Sequence, residues 1–536
     1  MIKKILTSAF FLTLAACGGE KIINNYYSDV EEQETYVGAD DCNKKLVYED
    51  YDGDGFGGSN SLEICVGDNI SNFVANNQDC DDSNANSFPG NPEVCDNIDN
   101  DCDGIVDKLT RICETICESG LETCENGVWS ECSAKEPKTE ILNGSDDDCN
   151  GFVDDKIKNW TYEIGTCFEN SISISPDGNI VLLGEGNEVY SLNPQDPLLN
   201  TFNVKVHGPV DFRTAAISQD NEIYVGGRLK VFKFNPSNSV GLIWDYKLFE
   251  CVSDFGSQTD DVSGLNSLAI QTSGNVLLSV KLKDIDLIFD DYCGYIQSLN
   301  NEGNSFWKYN IGFNQAGITI DLQNLILSNY KNKIYGLDSN GNYLFSENLS
   351  YTPTGSPVVG SEDLVYIRSF DHLMAFNLTN LVEAWDIPFE ADSEISLPVV
   401  DENGVIYFGS KEGSVYALNK DKTEKWFSPI NGSTISPTIS DEGLLLVSSD
   451  NGLIALDKET GNKVWSLETV ENKGSILALR PGVVAFGNSG NIFLCNKEDG
   501  NLYSFKGNYK LNSESVWPTF RHDFQRSGNA LTEYNF

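Results

Sequence analysis

Gly404-Val-Ile-Tyr-Phe-Gly-Ser-Lys-Glu-Gly-Ser-Val-Tyr-Ala-Leu-Asn419 and Gly443-Leu-Leu-Leu-Val-Ser-Ser-Asp-Asn-Gly-Leu-Ile-Ala-Leu-Asp457 carry one pattern twice. Each runs from a β-rich apolar stretch through a tight turn ending in glycine to a second apolar stretch, the signature of a hairpin. A polar turn and a tryptophan follow, Trp426 after the first copy and Trp465 after the second. The end of the second stretch recurs at Leu192, Phe234, Leu299, Leu337, Phe376, Leu418, Leu456 and Cys495, with separations of 42, 65, 38, 39, 42, 38 and 39 residues. The long interval holds an insertion of about 25 residues, expected around Cys251 to Gly264 and Lys281 to Gly294. Eight units of about 40 residues, four strands each, predict an all-β fold: an eight-bladed β-propeller over residues 160–507, closed on itself so that its sheet edges are covered. The tryptophans recur in phase with the units and are expected in the core rather than at a ligand.

These units resemble the PQQ-like (quinoprotein alcohol dehydrogenase-like) propeller family. The best matches are Val415 to Trp426 and Leu453 to Trp465, where Asp457-Lys-Glu-Thr-Gly-Asn-Lys-Val-Trp465 carries the Thr-Gly turn before tryptophan. The resemblance implies the fold and leaves activity open, since function is grafted onto folds. One member of that family, the lipoprotein of the outer-membrane barrel-assembly machine, is an assembly scaffold. Its quinone-dependent dehydrogenases use an adjacent cysteine pair and an aspartate beside calcium. This chain has no adjacent cysteine pair, and His207, His372 and His522 stand far apart, outside any zinc spacing. No catalytic residue is therefore assigned. Residues 508–536 include Trp517 to Gly528, which resembles a terminal motif found beside such propellers and is expected to pack on the ring as a tail.

Upstream, over residues 40–155, the chemistry changes. Four acidic loops alternate carboxylate or carboxamide oxygens and then place a glycine: Asp50-Tyr51-Asp52-Gly53-Asp54-Gly55, a looser Asp79-Cys80-Asp81-Asp82, Asp99-Asn100-Asp101-Cys102-Asp103-Gly104, and Asp146-Asp147-Asp148-Cys149-Asn150-Gly151. Calcium takes six to eight hard oxygen ligands, and an EF-type loop supplies them from positions 1, 3, 5, 7 and 9 with glycine at 6. On that spacing the expected ligands are Asp50, Asp52, Asp54 and the Phe56 carbonyl; Asp79, Asp81 and Asp82; Asp99, Asp101, Asp103 and Asp107; and Asp146, Asp148, Asn150 and Asp154. Position 12 of the first loop is Ser61 rather than glutamate, so a bidentate ligand must come from elsewhere, with Glu63 and the Asp79 to Asp82 cluster as the sources in reach. The ion would be structural Ca2+. Tyr48 to Asp107 resembles the repeat of the MopE-type metal-binding family, with Cys113 to Asp154 as a degenerate second copy. That family's name implies copper; the stretch has no histidine and no methionine, and hard oxygens favour calcium.

A net charge of −45 argues against nucleic acid, whose binding needs clustered Lys and Arg. Met1-Ile2-Lys3-Lys4 and the apolar run to Ala16 read as a signal peptide over residues 1–16, too short to span a bilayer as a mature helix. Leu14-Ala15-Ala16-Cys17 resembles a lipoprotein cleavage site, which implies a lipidated Cys17, followed over residues 17–39 by a flexible tether. Gly18 in place of aspartate implies the outer membrane, on a side left open. Fourteen cysteines remain, ten of them between Cys42 and Cys149, and even counts at dense spacing in an exported chain read as disulfides. Cys251 with Cys293, and Cys167 with Cys495 as a clasp between the ends of the ring, are candidate pairs. Together these features predict a non-enzymatic envelope lipoprotein whose propeller is a protein- or ligand-binding scaffold at the outer membrane, with a protein or polysaccharide as its partner. A quinoprotein oxidoreductase and a polysaccharide-binding surface protein are the alternatives.

Overall fold

The computed structural model describes residues 42–165, 172–248, 264–281, 294–516 and 518–519, apart from short loop segments within those spans. Cys17, the tether and the insertion cysteines Cys251 and Cys293 lie outside the described residues, as does Cys167 of the expected clasp. The chain divides into two compact units, Met1–Lys138 and Thr139–Phe536. All regular elements among the described residues are strands.

The first unit holds two small three-stranded sheets. Lys44–Glu49 pairs with Ser61–Cys65 and with Phe73–Val74, and Ser119–Glu125 pairs with Thr110–Glu114 and with Val128–Trp129. Its buried apolar side chains, among the described residues, are Val47, Ile64, Cys124 and Ala134, too few for a core that stabilises 100 residues by itself. Covalent links stand in for it: Cys42–Cys65, Cys80–Cys102, Cys95–Cys124 and Cys113–Cys132 are disulfides. Cys117, Cys149 and Cys495 are disulfide-bonded as well.

The second unit contains eight four-stranded antiparallel sheets among its described residues. The chain meanders through each sheet from its first strand to its fourth; in the sixth, Val399–Val400 is buried along its length, while Glu424–Pro429 is exposed at intervals. The last sheet breaks the pattern. Ala485–Phe486, Ile492–Asn496 and Asn501–Phe505 are its first three strands, and its fourth is Lys158–Glu163 from the start of the unit. One apolar cluster then runs from Leu446 and Leu453 of the seventh sheet through Phe493 and Leu494 of the eighth to Ile180 and Leu182 of the first. The sheets therefore close on each other, as in a β-propeller.

The repeated residue that marks each unit has a shared structural cause. Phe234, Leu299, Leu337, Phe376, Leu418 and Leu456 each sit just past a register shift between the third and fourth strands. The extra residue of the bulge lies on the fourth strand, and all six of the third-strand residues opposite it are buried. The eighth equivalent is Phe505, which follows the shift at Ser504, and not Cys495, which lies on the second strand of its sheet. The displacement comes from an extra hairpin, Thr469–Asn472 with Ser475–Ala478, placed between the seventh and eighth sheets. The other insertion falls where expected, with strands ending at Lys281 and resuming at Gly294, although its residues are outside the described ones.

The tryptophans join neighbouring sheets. Trp244, Trp385 and Trp426 donate their indole N–H to the carbonyls of Asn301, Lys420 and Lys458 in the next sheet's turn, at 3.0, 3.0 and 2.9 Å. Trp160, on the strand that completes the eighth sheet, does the same to Pro194 of the first at 3.0 Å. The turn glycine of the recognised Thr-Gly motif serves this contact: Gly461 has φ +72°, and a Cβ there would stand 2.5 Å from Trp426.

Candidate metal centres

The first centre grows from the end of the strand Lys44–Glu49. Gly53 and Gly55, at φ +86° and +100°, turn the chain back so that Asp50 Oδ1 and Oδ2 accept their N–H groups at 2.8 and 3.2 Å. Asp52 Oδ1 accepts from Asp54 N–H at 3.2 Å, and Asp54 Oδ1 from Phe56 N–H at 2.8 Å. The backbone thereby fixes one oxygen of Asp52 and of Asp54 and leaves the other over. Asn76 clips the loop shut, accepting from Gly57 N–H at 3.2 Å and donating to the Gly55 carbonyl at 3.1 Å.

The loose second loop completes this centre instead of forming its own. Asp82 Oδ1 accepts Tyr51 N–H at 2.9 Å, and a Cβ on Gly58 would lie 2.7 Å from the Asp82 side chain, so only glycine lets the two segments meet. Asp79 is oriented through Asp81 N–H at 2.9 Å. Carboxylate oxygens of Asp50, Asp52 and Asp54 lie within 4.8 Å of one another, and so do those of Asp52, Asp79 and Asp82. Oδ2 of Asp52, of Asp54 and of Asp79 is buried without any hydrogen-bond partner. Burial first, and then the facing carboxylates, hold Asp52 and Asp79 above the ordinary aspartate value of 3.8. Anionic oxygens withdrawn from water without a donor are costly, and a divalent cation among them removes that cost. The residues fit a hard cation. Glu63 takes no part, since it pairs with Lys44 at 3.5 Å, and Asp81 accepts the Ser83 hydroxyl at 2.6 Å. The Phe56 ring stacks on Phe88 at 5.4 Å.

The other two loops are copies of each other at an offset of 47 residues, from 93 to 140 and from 99 to 146. In one, Asp99 accepts Asp103 N–H at 3.1 Å and Gly104 N–H at 2.9 Å; in the other, Asp146 accepts Asn150 N–H at 3.1 Å and Gly151 N–H at 2.8 Å. A glutamate ahead of each loop was missed by the loop spacing. Glu93 Oε1 accepts Asn100 and Asp101 N–H at 2.6 and 3.0 Å, and Glu140 Oε1 accepts Asp147 and Asp148 N–H at 2.6 and 2.8 Å. Carboxylate oxygens of Glu93, Asp99 and Asp101 converge within 4.8 Å. The signal was present: each glutamate stands six residues before position 1, in both copies.

Position 9 has a structural duty besides the one its spacing suggests. Asp107 accepts the N–H groups of Asp96, Asn97 and Gly127 at 2.9, 2.7 and 2.7 Å, and Asp154 accepts Asn143 N–H at 2.9 Å and Gly144 N–H at 3.0 Å. These aspartates brace the segments around the loops, accepting amides from residues outside their own loop. Burial raises the Asp154 carboxyl, and the amides of Asn143 and Gly144 oppose that. The disulfide Cys80–Cys102 ties the Asp79 to Asp82 segment to the Asp99 loop, so the cysteines beside the acidic groups are not thiolate ligands.

The fold and these centres define a chain with two parts, a metal-binding motif region and a propeller of PQQ-like repeats. Residues 79–108 and 133–155 match the MopE metal-binding motif family, and residues 383–506 match the family described as outer membrane protein assembly factor BamB. The chain is 30% identical over 89 residues to the outer membrane protein assembly factor BamB of Nitrosomonas eutropha, a stretch that is 16% of this chain and 21% of that relative. Among solved structures, BamB from Moraxella catarrhalis aligns over 65% of this chain and 99% of its own at 13% identity, with a TM-score of 0.47.

Proposed function

We propose that this chain is a non-enzymatic, lipid-anchored protein of the bacterial outer membrane, in which calcium braces the acidic region and an eight-bladed propeller binds a protein partner. In this reading residues 1–16 are the signal peptide, Cys17 carries the lipid, and residues 17–39 are the tether. Residues 40–155 form the metal-binding region, 160–507 the propeller and 508–536 its tail. The observation that carries the metal half is the meeting of five carboxylates, Asp50, Asp52, Asp54, Asp79 and Asp82, with three buried oxygens lacking any donor. All-oxygen donors and disulfide-locked sulfurs favour Ca2+ over copper. Glu93 with Asp99 and Asp101 supplies a second site. The propeller half is supported by the BamB-type repeat match and by the ring of four-stranded sheets.

Calorimetric titration of Ca2+ into the oxidised, chelated full chain tests the first half. Binding with Kd on the order of 10⁻⁴ to 10⁻³ M is expected, as in extracellular modules. Copper binding without calcium binding sinks the calcium assignment. For the second half, deleting the gene is expected to lower outer-membrane barrel levels if the partner is the assembly machine. Unchanged levels exclude that partner, and dye-linked alcohol oxidation after adding quinone and calcium would restore the oxidoreductase alternative.

A further inference from the structure

The Asp146 loop belongs to the propeller unit and is built into the seam that closes the ring. The fourth strand of the eighth sheet, Lys158–Glu163, begins just after it. Ahead of the loop, Leu142 is fully buried; its N–H donates to the Lys506 carbonyl at 2.9 Å, and its own carbonyl accepts the Tyr509 hydroxyl at 2.7 Å. Lys506 N–H returns to the Ile157 carbonyl at 2.7 Å. Both ends of segment 142–157 are therefore pinned to the chain that leaves the strand Asn501–Phe505.

The same segment replaces a missing part of the repeat. In three sheets a turn glycine between third and fourth strands, Gly303, Gly341 or Gly461, receives the preceding sheet's tryptophan, but the eighth sheet takes its fourth strand from a distant part of the chain and has no such turn. Gly144, at φ +77°, stands there instead: a Cβ on it would be 3.0 Å from the Cβ of Trp465 and 3.6 Å from its ring, and the Trp465 indole donates to the Tyr509 hydroxyl at 3.1 Å. Asp154 holds Gly144 through its N–H. Within this assembly Glu140 is only 3% exposed, its Oε1 is bonded to the loop's amides, and its Oε2 is buried with no partner.

We infer that Glu140, Asp146, Asp148 and Asn150 hold a hard divalent cation of the calcium class that latches the propeller's seam. The inference rests on the calcium reading above and adds that the propeller, and not the acidic unit alone, depends on the ion. An ion bridging Glu140 to the loop fixes residues 140–154, and these hold Gly144 against Trp465 and Leu142 against Lys506. The seam then opens only when the ion leaves.

Hydrogen exchange on the oxidised full chain tests it, with and without Ca2+ after chelation, in the wild type, Glu140→Gln and Glu93→Gln. At free Ca2+ 100 times the Kd, exchange in Lys158–Glu163 and Asn501–Phe505 is expected to slow about 100-fold. Glu140→Gln is expected to lose that protection, and Glu93→Gln to keep it. Glutamine oxygen still accepts the Asp147 and Asp148 amides and the change removes a buried charge, so the ion-free melt of Glu140→Gln should not fall below that of the wild type. If it falls, Asp148→Asn carries the same expectation of lost protection. Calcium that binds and protects residues 50–107 but leaves the seam unchanged overturns the latch and spares the broader calcium reading. Binding nowhere overturns both.

Discussion

Asp52 and Asp79 each bury a carboxylate oxygen without a donor, and that burial raises both carboxyls above the ordinary aspartate value. Their oxygens, spacing and glycine neighbours were legible in the chain, and so was the need for a further carboxylate. What was hidden is that two loops 25 to 30 residues apart make one centre, because a β-hairpin and the space left by Gly58 bring Asp82 to the Tyr51 amide. Glu93 and Glu140 fall outside the loop spacing because their first task is to hold loop amides, and their sign in the chain is instead the glutamate repeated six residues before both loops. The raised Asp52 and Asp79 carboxyls give a prediction with a definite sign. Without metal the folded state holds these protons more tightly than the unfolded chain, so stability is greatest below pH 3.8 for these groups and is lost as pH rises through their raised folded values. With saturating Ca2+ the trend should reverse across the same window, as the ion competes with protons. Melting temperatures of the first unit against pH, with chelator and with Ca2+, check this. In chelator, Asp52→Asn should flatten the curve.

At the scale of elements, the repeat was readable because each unit needs the same buried residue at the same bulge. The eighth was misplaced by ten residues, at Cys495 rather than Phe505, because a hairpin of polar and apolar residues inserted before it has no repeat signature of its own. The in-phase tryptophans lie in or against the apolar core, as their phase predicts, and there they also join neighbouring sheets. There they are not equivalent. Trp426 donates to Lys458, whereas Trp307 Nε1 is buried without an acceptor, although both lie against a turn glycine. Trp426→Phe should therefore destabilise the propeller by about 1 kcal/mol more than Trp307→Phe, since it leaves the Lys458 carbonyl with only the longer 3.4 Å bond from the Tyr407 hydroxyl while the other change removes an orphaned donor. Chemical denaturation of the two variants side by side measures the difference. Equal losses would mean that the indole hydrogen bond contributes nothing to the joint.

For the whole molecule, two kinds of stabilisation stand in one chain. The first unit leans on covalent links and charge, and the second on apolar clusters that run through the ring. Replacing Cys80 and Cys102 with serine removes a link across 22 residues and should cost the first unit about 3 kcal/mol. It should also weaken Ca2+ at both centres the link joins, while the propeller's unfolding transition stays in place. Two calorimetric transitions, one moved and one not, are the expected record. The ring itself carries a consequence for how the molecule is made. Asn159 bonds to Ser504 across 345 residues of chain, so the strand that seals the propeller is among the first parts of it to be synthesised and the last to find its neighbour. For all that interval it is an unpaired edge beside other newly made chains, the situation in which strands join the wrong partner. Its ends, Lys158 and Glu163, are charged, and dozens of carboxylates precede it, so a waiting chain repels its own copies until the ring is ready to receive it.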